Sequence, residues 1–208
     1  LELNIRHHAA RNSGAPVFER LWWFWSNHFA ILDKSSLPSF NTGAFQREII
    51  RENLCGNFTN LLKSATISFA MIKNLDNSDS VGPNSKNGQW RKKKGKPVSV
   101  NENHARELLE LHSVGPAAGY SQKDVIELSY IMAGWECPWT KKRHDANQVK
   151  FNQNKHEPGE HKVFGKAYKQ KGVTPKNKLI DVINDLAEHS SCSNFITHKL
   201  CRHFICDQ

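Results

Sequence analysis

Along the chain, stretches with a helical hydrophobic period alternate with stretches that have none. From Val17 to Leu32 the residues are apolar on most sides of a helix: Leu21, Trp25, His28 and Leu32 fall on one stripe, with Trp22 and Phe29 alongside. A helix hydrophobic nearly all round is one the fold buries, and at this spacing Trp22, Trp23 and Trp25 read as core packing rather than a sugar-stacking platform. Leu1 to Arg11 also reads as a helix. Leu37-Pro38-Ser39 breaks the pattern, and Thr42 offers a cap for a helix from Gly43 to Cys55. After Gly56-Asn57, Phe58 to Leu75 reads as one helix with Leu61, Leu62, Ile67, Met71 and Leu75 inward.

Residues 76–100 carry no such period and are predicted as a long basic polar loop. Gly82-Pro83-Asn84-Ser85 and Asn87-Gly88 are its turn signals, and loops of this length inside a compact domain are usually functional or disordered. A helix is predicted from Asn101 to Ser113, stopped by Gly115-Pro116. Ser121 with Asp124 makes a capping-box start for a helix ending near Gly134. Residues 136–176 read as irregular, with Val149 to Phe151 and Val163 to Tyr168 as short strands. Helices from Lys178 to His189 and from Cys192 to Cys206 close the chain. The expectation is a mainly α fold of six or seven helices packed as one globular unit, with long polar loops and one small β-hairpin.

Composition changes this picture in two ways. The formal net charge is +9 over 208 residues, a balance that favours anionic partners such as nucleic acid, acidic glycans or a membrane surface without choosing among them. The five Cys are odd in number and form no C-x-x-C pair, which argues against a disulfide scaffold or a Cys-rich zinc site and for mostly buried thiols. No apolar run is long enough to span a bilayer. No nucleophile elbow, phosphate-binding glycine loop or dinucleotide fingerprint is present.

Eight short motifs then point to a family. They are E-R-L-W-W-F-W-S-N-H-F from Glu19, G-A-F-Q-R-E-I-I-R from Gly43, S-V-G-P-N-S from Ser80, N-E-N-H-A-R-E-L-L-E-L-H-S-V-G from Asn101, G-Y-S-Q-K-D-V-I-E-L from Gly119, A-G-W from Ala133, H-E-P-G-E from His156 and K-L-C-R-H-F from Lys199. In this order, over nearly the whole chain, they resemble the bacterial domain of unknown function 1800 family. The resemblance implies that residues 1–208 are an internal part of one larger helical domain, truncated at both ends, and that the protein is exported or periplasmic. It supplies no activity. It also implies an apolar or aromatic residue where His104 stands, and Lys where His161 stands.

Candidate chemistry therefore comes from the residues. His156-Glu157-Pro158-Gly159-Glu160-His161 stands close to H-E-x-x-H, but its fifth residue is Glu160, and Pro158-Gly159 forbids the helix on which two His would grip zinc. A loop-built divalent-metal site remains open, against a turn whose carboxylates accept backbone hydrogen bonds. The second candidate is the helix carrying Glu107 and Glu110, three apart on one face, with Asn103 on the same side and His112 adjoining. Such acids could serve acid–base chemistry or hold a divalent ion; the alternative is a solvated face with Arg106 paired to Glu110. The third is the basic run Lys86, Arg91, Lys92, Lys93, Lys94 and Lys96 around Trp90, able to track an anionic polymer while Trp90 stacks, or simply a solvated loop. Asn27, His28, Arg202 and His203 are secondary polar candidates. His28 reads first as a hydrogen-bonded core residue, and Arg202 as a buried bidentate partner for a carboxylate.

Two functions follow. One is a hydrolase-like or metal-assisted enzyme acting on an exported or surface polymer, with Glu107, Glu110, His112, His156, Glu157 and Glu160 converging in one cleft. The other is a non-catalytic binding or assembly protein that meets an anionic partner through its basic surface.

Overall fold

The structure, a computed structural model, describes residues 2–32, 41–137, 148–169 and 176–205. The fold is mainly helical. Its helices are α1 (Glu2–Asn12), α2 (Pro16–His28), α3 (41–53), α4 (Phe58–Thr66), α5 (Phe69–Asn74), α6 (Lys86–Lys93), α7 (Asn103–Glu107, continued by the π-turn Leu108–His112), α8 (Gln122–Met132), α9 (Asn177–Glu188) and α10 (Ser190–Phe204). Two small antiparallel strand pairs complete it: β1 (Trp135–Glu136) with β2 (Lys150–Phe151), and β3 (His161–Val163) with β4 (Lys166–Tyr168). The Leu37-Pro38-Ser39 break lies outside the described residues, as does Cys206.

Local chemistry explains most boundaries. Pro16 opens α2, where its missing N–H costs nothing. In α8 the Ser121 hydroxyl accepts the Asp124 N–H while the Asp124 carboxylate accepts the Ser121 N–H at 2.8 Å, which is the reciprocal cap that the sequence predicts. The other Asp124 oxygen accepts the Phe164 N–H at 2.8 Å, tying α8 to the β3–β4 turn. In α9, Leu179, Val182, Ile183 and Leu186 recur at helical spacing and are buried. They join Leu61 and Leu62 of α4, Leu108 and Leu109, and Leu128, Ile131 and Met132 of α8 in one core.

Four predicted features differ. The stretch from Phe58 to Leu75 is two helices, because the Ser68 hydroxyl donates to the Ala65 carbonyl at 2.8 Å and accepts the Met71 N–H at 3.1 Å, capping α5 afresh. Helix α2 ends at His28, and Leu32 is 51% exposed rather than on the core stripe. The predicted loop 76–100 contains α6, capped when Ser85 Oγ accepts the Gly88 N–H at 3.0 Å. The single expected hairpin is two pairs, since Phe151 registers with Trp135 and not with the later strand. Among the described residues no helix is long and apolar enough to cross a membrane.

Candidate functional site

The sequence candidates separate into two groups. Asn27, His28, Glu107 and His112 border one cavity of about 240 Å³, together with Lys199 and an apolar wall that includes Leu32, Met71, Leu75 and Leu111. His156 borders a different cavity, of about 170 Å³, with Asn84, Ser85, Lys86, Gln89, Gln153 and Pro158. The expected single cleft uniting the Glu107 helix with the His156–Glu160 turn is therefore two openings.

In the first cavity α2, α7 and α10 each contribute. His28 is buried under Phe24, Trp25 and Phe29. Its Nε2–H donates to the His112 carbonyl at 3.1 Å, and its Nδ1 accepts from the Lys199 ammonium at 2.9 Å. Burial, then the positive charge of Lys199, hold the His28 pKa well below the ordinary imidazole value. The ring is therefore neutral, as this bonding pattern requires. Burial also lowers the Lys199 ammonium, whose charge lies over the Phe195 ring at 5.1 Å. His112 is pulled down to about 3 by burial and then by Lys199. A π-turn runs through Leu108–His112, a widening often found at functional sites.

That widening corrects the predicted pairing of acids. Residues advance by less rotation in a π-turn than in an α-helix, so Glu110 leaves the face of Glu107. Glu107 borders the cavity, whereas Glu110 receives the Tyr120 hydroxyl at 3.5 Å. Arg106 pairs with Glu102 at 2.7 Å rather than with Glu110. Asn103 is exposed and its N–H donates to the Asn101 side chain at 3.0 Å, a role in starting the helix. Arg202 is exposed and borders a shallower opening with Phe24, Lys199 and His203, so it is no buried partner for a carboxylate. His203 Nε2 bonds the Arg20 carbonyl at 3.2 Å.

The His156–His161 turn is knit to the Gly82–Ser85 loop. The buried Glu157 carboxylate accepts the Asn84 N–H at 2.8 Å and the Asn84 Nδ2–H at 2.6 Å. Gly82 is needed there, since a Cβ would meet Glu157 Oε2 at 2.5 Å and its Cα at 2.7 Å. The buried Lys178 ammonium donates to the Gly159 carbonyl at 2.6 Å; desolvation lowers its pKa while the Glu157 charge opposes that. His156 Nδ1–H donates to the Ala133 carbonyl at 3.0 Å, and burial takes the ring down to about 4. His161 bonds Glu127 through Nδ1 at 2.9 Å. Glu160 lies exposed, 3.2 Å from Lys169. Glu157 is thus a clamp between two loops, and Glu160 a surface ion pair.

A family model described as "Protein of unknown function (DUF1800)" matches residues 2–208. The chain belongs to that family. Comparison with curated proteins gives no match, and comparison with solved structures gives none. In this DUF1800 chain the motifs from Glu19, Asn101 and Lys199 are the ones that meet at the first cavity. Among the described residues no three His, Cys, Asp or Glu stand where they could share a metal ion, so the metal-assisted form of the expectation finds no ligand set there. Cys137 and Cys192 are buried thiols raised to about 11 by desolvation, whereas Cys55 and Cys201 are exposed.

Two residues were missed. Lys199 could have been suspected from its place in a family motif. His104, to which the sequence assigns no chemistry, is fully buried; among the described residues neither ring nitrogen meets a hydrogen-bond partner, and burial pulls its pKa down to about 3. Only its departure from the apolar or aromatic residue implied by the resemblance signalled that this position is core.

Proposed function

We propose that the cavity bordered by Asn27, His28, Glu107, His112 and Lys199 is an acid–base site of hydrolase type, acting on a polar group carried by a polymer. The observation that supports this is the presence of a carboxylate, an ammonium and two neutral imidazoles around one half-apolar opening. Glu107 takes a proton from an attacking water, and Lys199 meets the charge that develops on the substrate oxygen or protonates the leaving group. Because His28 is neutral, it orients Lys199 through a hydrogen bond without cancelling its charge. Desolvation makes the ammonium a readier proton donor.

The test is turnover of a panel of p-nitrophenyl esters and glycosides by the full chain. Glu107→Gln is expected to lower turnover by roughly 10²-fold or more with melting little changed, and Lys199→Met to lower it as far while also lowering the melting temperature, because buried His28 Nδ1 loses its donor. No turnover above background, or equal turnover in both variants, overturns the proposal. A second reading, non-catalytic binding of an anionic partner, draws support from α6, whose lysines form no ion pair among the described residues.

A further inference from the structure

The segment that carries the basic run is built as a rigid platform. Helix α6 is capped by Ser85, and the Glu157 carboxylate fixes Asn84 just before it. The Asn87 N–H donates to the Asn154 carbonyl and the Gly82 N–H to the Lys155 carbonyl, both at 2.8 Å. Gly88 closes the packing, because any Cβ there would overlap the Gly82 carbonyl. Residues 80–101 contain no Asp or Glu, so the positive charge of this platform is not neutralised from within.

On α6, Lys86, Gln89, Trp90 and Lys93 stand at positions i, i+3, i+4 and i+7 and share one face. Trp90 is 51% exposed, with the Lys96 ammonium 5.2 Å from its ring centre. The face begins at the cavity of about 170 Å³, whose walls are mostly neutral amides and a proline: Asn84, Gln89, Gln153 and Pro158, with Lys86 at the edge. His156 also borders it. With its proton committed to the Ala133 carbonyl, this buried ring leaves Nε2 as an acceptor to which no group donates among the described residues.

We propose that this cavity and the adjoining face of α6 bind an acidic polysaccharide. The opening is below the size usual for drug-sized ligands, about 300–1,000 Å³, and suits one polar ring. Side-chain amides offer a donor and an acceptor each, the complement of vicinal hydroxyls. An apolar aromatic face one helical turn from the cavity suits the C–H face of the next sugar, and Lys86 and Lys93 meet its carboxylates or sulfates. A nucleic acid fits this arrangement less well: its bases would need successive aromatic platforms, whereas Trp90 is the one aromatic between residues 80 and 101. The inference stands apart from the acid–base reading of the Glu107 cavity and uses none of its residues.

The full chain is titrated calorimetrically with polygalacturonate, alginate, neutral dextran and a thymidine oligonucleotide. Both acidic polysaccharides should bind and dextran should not. Trp90→Ala and Lys86→Gln should each weaken binding roughly fivefold or more, with melting unchanged because both side chains are exposed. Turnover of the p-nitrophenyl panel should not change in either variant, which separates this site from the other. Absence of binding to both acidic polysaccharides overturns the proposal. So does oligonucleotide binding of equal strength that is indifferent to Trp90→Ala, since that is attraction between bare charges.

Discussion

Replacing His104 by Phe should make the protein more stable and less sensitive to acid. His104 is 0% exposed, and both ring nitrogens lack a hydrogen-bond partner among the described residues. An unsatisfied buried polar group costs about 1–3 kcal/mol, whereas an apolar group of similar shape costs nothing of the kind. Phe keeps a planar ring at that position, so a gain of about 1 kcal/mol is expected at pH 7 after some loss to its larger size. The acid effect follows from linkage. With the folded pKa near 3 and the unfolded near 6.5, the unfolded chain binds the extra proton between those values. Stability from the neutral ring is therefore full above pH 6.5 and is lost as pH falls below it, at about 1.4 kcal/mol per pH unit. From pH 7 to pH 5 that amounts to about 2 kcal/mol for His104 and as much again for His112, whose folded pKa is also near 3. His104→Phe should remove the first share and leave the second. Urea unfolding at pH 7 and pH 5, at constant m-value, measures both quantities. A variant that is less stable at pH 7 and keeps the wild-type loss between the two pH values refutes the reasoning.

Three further outcomes are expected. Glu157→Gln sets an amide N–H against the donors of Asn84 and should cost about 2 kcal/mol, with faster hydrogen exchange at the Asn84 amide; unchanged exchange would rule out the clamp. Glu19 is buried and holds the Arg51 guanidinium, whose side chain is 36% exposed, through two bonds of 2.8 and 3.0 Å, so Glu19→Ala should cost about 2 kcal/mol in urea unfolding at pH 7; a cost under about 0.5 kcal/mol would show a pair screened as if fully exposed. Changing Lys92, Lys93 and Lys94 to Gln should shift stability by less than about 0.5 kcal/mol each, and a larger loss in thermal melting would mean that these side chains hold the fold.

Features written within one helical turn were legible from residues alone. The Ser121–Asp124 cap, the inward stripe of α9 and the burial of Trp22, Phe24 and Trp25 follow from local hydrogen bonding and period, whereas Trp23, also expected in the core, is only partly buried and borders an open pocket. So does the mainly helical class. What the sequence could not supply was pairing across distance. Helix α6 keeps its place because Glu157, more than seventy residues later, accepts from Asn84. Trp135 finds Phe151 as its strand partner across a segment with no period to announce it. The separation of Glu107 from Glu110 depends on a π-turn, a backbone register that no side-chain pattern encodes. Lys199 meets His28 across 171 residues, and that meeting joins α10 to the cavity bordered by α2, α5 and α7. Local preference is a property of neighbours in the chain. The neutral rings of His28 and His104 are set by desolvation, which exists only once the rest of the molecule has closed around them.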